Sequence, residues 1–346
     1  MITKDSYEPE WIYSLSEKLG KRGDPKILEK VIYAFTLLEQ LKTVGLDFIF
    51  KGGTSLLLLT PTPRRFSIDI DIITPVKPEE LLSYLDKVVE LGIFSKWVAD
   101  NERKHALDAP VGHCKFYYTS KIDSMYGDEP ILLDVLFTPN PYPQLVTLPI
   151  THQWLQTTAP ILSVDIPAIE SIVGDKLTAF APNTTGILYE KNRPVEIIKQ
   201  LYDIAFLFDA STNMNLIRAA YIKIVEEEIK YRKLNIGWED VLDDTFQACL
   251  HITERDIQND NFKQLQKGIS NIVNFIIEKF HVEEAIICAA KTAYLTKVLK
   301  TNPPTVVRYN NPQQIQLLTI IDPQFNKFNK LKKSLPEAFF YWYHAL

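Results

Sequence analysis

The stretch Phe48–Thr74, FIFKGGTSLLLLTPTPRRFSIDIDIIT, restricts this chain more than any other. Phe48-Ile49-Phe50 is a short apolar run, as a buried strand should be, and Gly52-Gly53 breaks it. Thr54 and Ser55 can cap the apolar run Leu56–Leu59 as a helix start, and Pro61 and Pro63 stop that helix. Ser67–Ile73 then alternates. In a strand, Ser67, Asp69 and Asp71 share one face, and Ile68, Ile70 and Ile72 point into the core.

Two carboxylates crowded on one face repel each other unless a cation sits between them. Mg²⁺ prefers oxygen ligands and commonly keeps water and substrate phosphate in its shell. The N–H groups of a glycine turn at a helix start favour phosphate. A phosphate cradle and a carboxylate pair joined by one helix suit transfer of a nucleotidyl or phosphoryl group from a nucleoside triphosphate. Taken separately, a Gly-Gly pair is ordinarily a turn and a D-x-D strand a solvated edge. Their order and spacing make the joint reading the stronger one.

Other acids and bases extend the pattern. Asp134 lies inside the apolar run Ile131–Phe137, where an unpaired carboxylate is costly. It either meets a buried base or faces a cleft beside a metal. Lys176 falls in a helix that the segment Ile166–Glu170 enters and that continues through Phe180, as an exposed helix lysine or a phosphate contact. Lys199 and Asp203 stand four apart on a helix expected over Arg193–Phe208, a spacing that equally suits a surface ion pair.

Lys51-Gly52-Gly53-Thr54-Ser55-Leu56 followed by Arg65-Phe66-Ser67-Ile68-Asp69-Ile70-Asp71 resembles the first motif of the AbiEii/AbiGii-type nucleotidyltransferase toxins. That family lies within the DNA polymerase β-like nucleotidyltransferase superfamily. The segments around Lys176 and Lys199–Leu207 resemble its later motifs, with Gln200 where many relatives carry an acid. The resemblance implies that Asp69 and Asp71 bind Mg²⁺, with Asp134 as a third acid. It implies that Lys51, Gly52, Gly53, Thr54, Ser55, Arg65, Ser67 and Lys199 serve the substrate, Arg65 by phosphate contact or as a structural salt bridge. Lys176 would meet the triphosphate and Asp203 would act as base or position the acceptor. It further implies a toxin of a type IV toxin–antitoxin system, with a separately encoded antitoxin, tRNA 3′ ends as acceptor and a role in phage defence. Transfer to a small molecule such as an aminoglycoside, transfer to a protein hydroxyl, and a non-catalytic nucleotide-binding module remain the alternatives.

The expected fold is α/β or α+β. A small mixed sheet with N-terminal helices spans residues 1–165, and a mainly helical region, 166–346, brings Lys176 and Asp203 to the cleft. Before the sheet, Trp11–Leu19 and Ile27–Val44 read as helices; after it come a helix over Pro78–Gly92 and strands over Lys115–Thr119 and Ile131–Phe137. Asn140–Pro149 reads as a loop and Ile161–Val164 as a strand. Beyond Met214 the helices expected are Leu216–Leu234, Trp238–Ile252, Phe262–Lys279, Glu283–Leu299 and Pro336–Tyr343.

A formal charge of −5 argues against a general polyanion binder, so nucleic-acid contact requires a local patch. Lys327, Lys330, Lys332 and Lys333 beside Phe325 and Phe328 form either that patch or a solvated face. No apolar run reaches the roughly 18 residues of a membrane span, and no apolar leader is read at the N-terminus. Cys114, Cys249 and Cys288 are widely spaced, which fits a reducing cytoplasm. The histidines, His105 and His113 among them, show no zinc spacing, and no Walker or G-x-S-x-G element occurs.

Overall fold

The computed structural model describes residues 1–100, 109–122 and 127–346, so His105 lies outside the described residues. The chain forms two compact units. The first comprises Met1–Ala168 and Asn274–Glu278, and the second Ile169–Val273 and Lys279–Leu346. The return of residues 274–278 to the first unit has no counterpart in the division expected at 165/166.

The first unit is built on a sheet of seven strands among the described residues. They are β1 (Ile49–Lys51), β2 (Ile70–Thr74), β3 (Lys96–Ala99), β4 (Val111–Thr119), β5 (Asp128–Phe137), β6 (Leu145–Pro149) and β7 (Ser163–Pro167). Their order is β3-β4-β5-β2-β1-β7-β6. The sheet is mixed: β5 runs parallel to β2, and β7 to β1, whereas the other pairs are antiparallel.

Helices α1 (Pro9–Leu19) and α2 (Pro25–Thr43) precede the sheet, α3 (Gly52–Leu59) joins β1 to the segment before β2, and α4 (Pro78–Glu90) follows β2. Asp24 caps α2 by accepting from the Lys26 amide at 2.8 Å. The apolar stripe of α2 packs on β2 and β5. It buries Leu28, Val31, Ile32 and Phe35 with Phe50, Ile70, Ile72, Leu133 and Val135. That leaves the opposite face of the sheet half-open, and along β1, β2, β5 and β4 it carries Lys51, Asp71, Asp134 and His113.

Local structure differs from expectation in a few places. The helix after β1 begins at Gly52 itself, with Lys51 at its N-cap, not at Thr54-Ser55. The ladder of β2 starts at Ile70, so Ser67, Ile68 and Asp69 lie just upstream of it, and Ile68 is half-buried rather than core. β6 occupies part of the expected loop Asn140–Pro149. Its position at the sheet edge accommodates Pro149, which has no N–H to donate.

The regular structure of the second unit is helical: α5 (Ile169–Ala179), α6 (Pro194–Ala210), α7 (Met214–Tyr231), α8 (Trp238–Glu254), α9 (Asp260–Asn271), α10 (Val282–Thr301), α11 (Leu331–Ser334) and α12 (Pro336–Ala345). α5 packs on α6 and α7, and α10 packs against α6, α8 and α12. α9 stops at Asn271, short of the expected Lys279. A 3-10 turn, Ile272–Asn274, follows, after which Ile276 bridges to Arg65.

Candidate active site

Gly52 adopts φ +78°, a conformation that costs an L-residue about 1–2 kcal/mol. This turns the chain from β1 into α3, whose first-turn N–H groups have no acceptor within the helix. Gly52 also permits a close approach. A Cβ there would collide with the Asp71 carboxylate, lying 2.7 Å from its Cγ. A Cβ on Gly53 would meet the Arg65 guanidinium and lie 2.7 Å from the Ser67 Oγ. The glycine turn, Asp71, Arg65 and Ser67 therefore occupy one small volume.

The hydroxyls of Thr54 and Ser55 point inward. Thr54 Oγ1 donates to the Asp69 carbonyl at 2.6 Å and Ser55 Oγ to the Gly52 carbonyl at 2.8 Å, and both residues are fully buried. These bonds hold α3 and the segment bearing Asp69 in place, and the backbone N–H groups of the first turn are further donors. Arg65 is buried as well, and its Nη1 donates to the Phe66 carbonyl at 3.0 Å. The residues around it are clamped by the returning segment, through Phe66 N to Phe275 O at 2.7 Å and Ile277 N to Arg64 O at 3.0 Å.

Asp71 is the cross-strand neighbour of Lys51 on β1 and stands in parallel register with Asp134 on β5. Adjacent strands lie about 4.8 Å apart, so Asp71 and Asp134 are close on one face. Beyond Asp134, in register on β4, stands His113. Its Nδ1 is 2.7 Å from Asp134 Oδ1. A row Lys51–Asp71–Asp134–His113 thus crosses four strands, with a basic side chain at each end and two acids between. Of the two possibilities for Asp134, the base partner is present as His113, and the register places the carboxylate level with Asp71. Burial first, then the charges of Asp134 and Asp100, push the Cys114 thiol up to about 11, which removes it as a nucleophile.

Among the described residues no group of three His, Cys, Asp or Glu side chains forms a ready metal cage. The donors present fit Mg²⁺ nonetheless, because that ion is usually held by one or two carboxylates and completed by water and substrate phosphate. Asp71 and Asp134 supply hard oxygen donors from neighbouring strands, and Asp69 precedes Asp71 by two residues.

In the second unit, Lys176 on α5 and Asp203 on α6 form an ion pair of 2.7 Å, with side-chain exposures of 6% and 2%. Lys176 is therefore not an exposed helix lysine. Its Nζ also donates to Gln200 Oε1 at 3.4 Å. Lys199 pairs with Glu196 at 2.9 Å, one turn back on α6. In the lysine cluster, Lys327 is engaged by Glu254 at 2.8 Å and Lys332 by the Gln316 carbonyl at 3.2 Å.

His113, which stands in the row across the sheet, is not singled out by sequence reasoning. It lies 21 positions before Asp134, and only the β4–β5 register brings the two together. Nothing local in the sequence marks it.

A mixed sheet that carries paired acids beside a helix opened by two glycines matches the arrangement expected from the sequence, and the family match makes this chain a nucleotidyltransferase. Residues 36–281 match the family model described as nucleotidyl transferase AbiEii toxin, type IV toxin–antitoxin system, and the chain belongs to that family. The matched range contains the residues from Lys51 to Asp203 described above, but not the lysine cluster at residues 327–333. Among solved structures, the crystal structure of JHP933 from Helicobacter pylori shares 15% identity, with 79% of this chain and 95% of that chain covered at a TM-score of 0.44. A candidate nucleotidyltransferase from H. pylori also shares 15% identity, with 80% and 99% covered at a TM-score of 0.43. No curated protein matches the sequence significantly. Among the described residues no helix is long and apolar enough to cross a membrane.

Proposed function

We propose that this protein transfers a nucleotide from a nucleoside triphosphate to an acceptor hydroxyl, with Mg²⁺ as cofactor and the 3′ end of tRNA as acceptor, in the manner of a toxin countered by a separately encoded antitoxin. The observation that carries this reading is the in-register pair Asp71 and Asp134, with Asp71 pressed against the Gly52 turn.

In this reading the N–H groups opening α3 hold the triphosphate, assisted by Lys51 and Arg65. Asp69 and Asp71, with Asp134 beside them, would hold Mg²⁺, which when bound would supply neutralisation of phosphate charge. Lys176 and Asp203 enter through the family motifs, as the residue that meets the triphosphate and the group that takes the acceptor proton. The acceptor oxygen bonds to the α-phosphorus as its proton passes to Asp203, the bond to the β-phosphate oxygen breaks, and pyrophosphate departs. Lys176 and Asp203 can take these roles only if their 2.7 Å pair opens or is shared with substrate.

The test is incubation of the purified protein with each α-labelled triphosphate, Mg²⁺ and total tRNA. Label at the tRNA 3′ end, lost with EDTA or Asp71→Asn, is the expected result. A folded protein that labels no acceptor under these conditions would refute the proposal.

A further inference from the structure

We propose that His113 is a positioning residue for the acid pair: it fixes the Asp134 carboxylate so that Asp134 and Asp71 together hold a divalent cation. This rests on the reading above, that the pair is a metal site, and adds a residue to it.

Three observations carry the inference. His113 Nδ1 lies 2.7 Å from Asp134 Oδ1, a short hydrogen bond. The strand register leaves no offset in the row: His113 is opposite Asp134, and Asp134 is level with Asp71. The His113 side chain is only 6% exposed and that of Asp134 23%, so this is not a transient surface pair. An ionised carboxylate only accepts, so the proton of this bond sits on Nδ1. The other basic residue on that face of β4, Lys115, is held by Asp100 at 2.9 Å.

The physical effect follows from the freedom of an aspartate. Its carboxylate turns about χ2 in a broad, shallow well. One bond to Oδ1 from a buried ring stops that rotation and sets the direction of the second oxygen. A ligand fixed before the ion arrives does not have to be ordered on binding. Outer partners of metal ligands typically contribute ten- to hundredfold in affinity or activity.

The experiment uses Mn²⁺ as probe and reads free ion by electron paramagnetic resonance, with no turnover required. The whole protein is compared with His113→Ala, His113→Asn, His113→Gln and Asp71→Asn. An asparagine amide can place an N–H near the Nδ1 position, whereas a glutamine amide reaches past it toward Nε2. The expected result is Mn²⁺ affinity weakened about ten- to hundredfold in His113→Ala and His113→Gln and restored in His113→Asn. If His113→Ala fails to fold, the Asn and Gln variants still decide the matter. Equal Mn²⁺ affinity in those two, or an unaltered His113→Ala, overturns the positioning role alone. No Mn²⁺ binding by the unsubstituted protein, or binding indifferent to Asp71→Asn, overturns the metal reading and the positioning role with it.

Discussion

The α-carbon of Gly52 faces the carboxylate of Asp71 so closely that a single added methyl would lie 2.7 Å from Asp71 Cγ. The turn expected to receive phosphate and the acid expected to hold metal are thus in van der Waals contact, one strand apart. Gly52→Ala meets two penalties, a positive φ of 78° and this collision. It is expected to cost about 1–2 kcal/mol in backbone strain alone and to lower nucleotide transfer at least about 100-fold by displacing Asp71. Urea unfolding and a labelled-nucleotide assay measure the two effects separately.

The buried pair Lys176–Asp203 separates stability from chemistry. Lys176→Met takes the ion-pair cation away from a carboxylate at 2% exposure and should cost about 3–5 kcal/mol. Replacing both partners, Lys176→Met with Asp203→Leu, should recover most of that loss. Transfer activity should stay lost in the double variant. Recovery of activity along with stability would show the pair to be a packing element only.

His152 makes acid stability testable. Burial lowers its pKa to about 4, from an ordinary value of 6.5. The Trp154 amide donates to its Nδ1 at 3.2 Å, and its ring lies against Phe35 and Trp154. A histidine held neutral in the folded state contributes its full stability above pH 6.5. Below that, the unfolded chain takes the proton first, and stability falls until the folded form also protonates near pH 4. The loss attributable to His152 over this window is about 3 kcal/mol at 1.36 kcal/mol per pKa unit. His152→Phe should flatten the change in urea midpoint between pH 7 and pH 5, and an unchanged slope would contradict the assignment.

Glu29 on α2 is almost fully buried and accepts from Ser120 Oγ at 2.7 Å, the Lys121 amide at 2.7 Å and the Ile122 amide at 3.3 Å. It thereby ties the end of β4 to the helix beneath the sheet, alongside the stacked rings of Tyr33 and Tyr118 at 3.6 Å. Glu29→Ala removes the acceptor shared by these groups and by the Tyr118 hydroxyl at 3.5 Å. It should cost about 2–4 kcal/mol, read as a lower melting temperature, with transfer per folded molecule retained.

Much of this architecture was legible where local chemistry decides it. The stripe Leu28, Val31, Ile32, Phe35 and the Pro78-to-Gly92 bracket mark α2 and α4 without reference to anything distant. β3 went unread because KWVA is short and half-exposed at a sheet edge, and β6 because prolines surround it. The overlong reading of α9 has a different cause. Residues 272–280, IVNFIIEKF, are apolar enough to continue a helix, but pairing with Arg64–Phe66 draws them away. At the site, the acids and glycines showed in the motif. The Asp71–Asp134–His113 row did not, because it is a property of strand register between segments far apart in sequence.

The clamp on Arg64–Phe66 sets an order for biosynthesis. A chain emerging from the ribosome completes residue 168 first, yet the edge partner of Phe66 is Phe275. Those later residues follow on the order of 10 s behind, at typical elongation rates of about 5–20 residues per second. Until then Arg64 and Phe66 lack these backbone partners, so the segment bearing Arg65 and Ser67 is fastened only after the strands carrying Asp71 and Asp134 have been made.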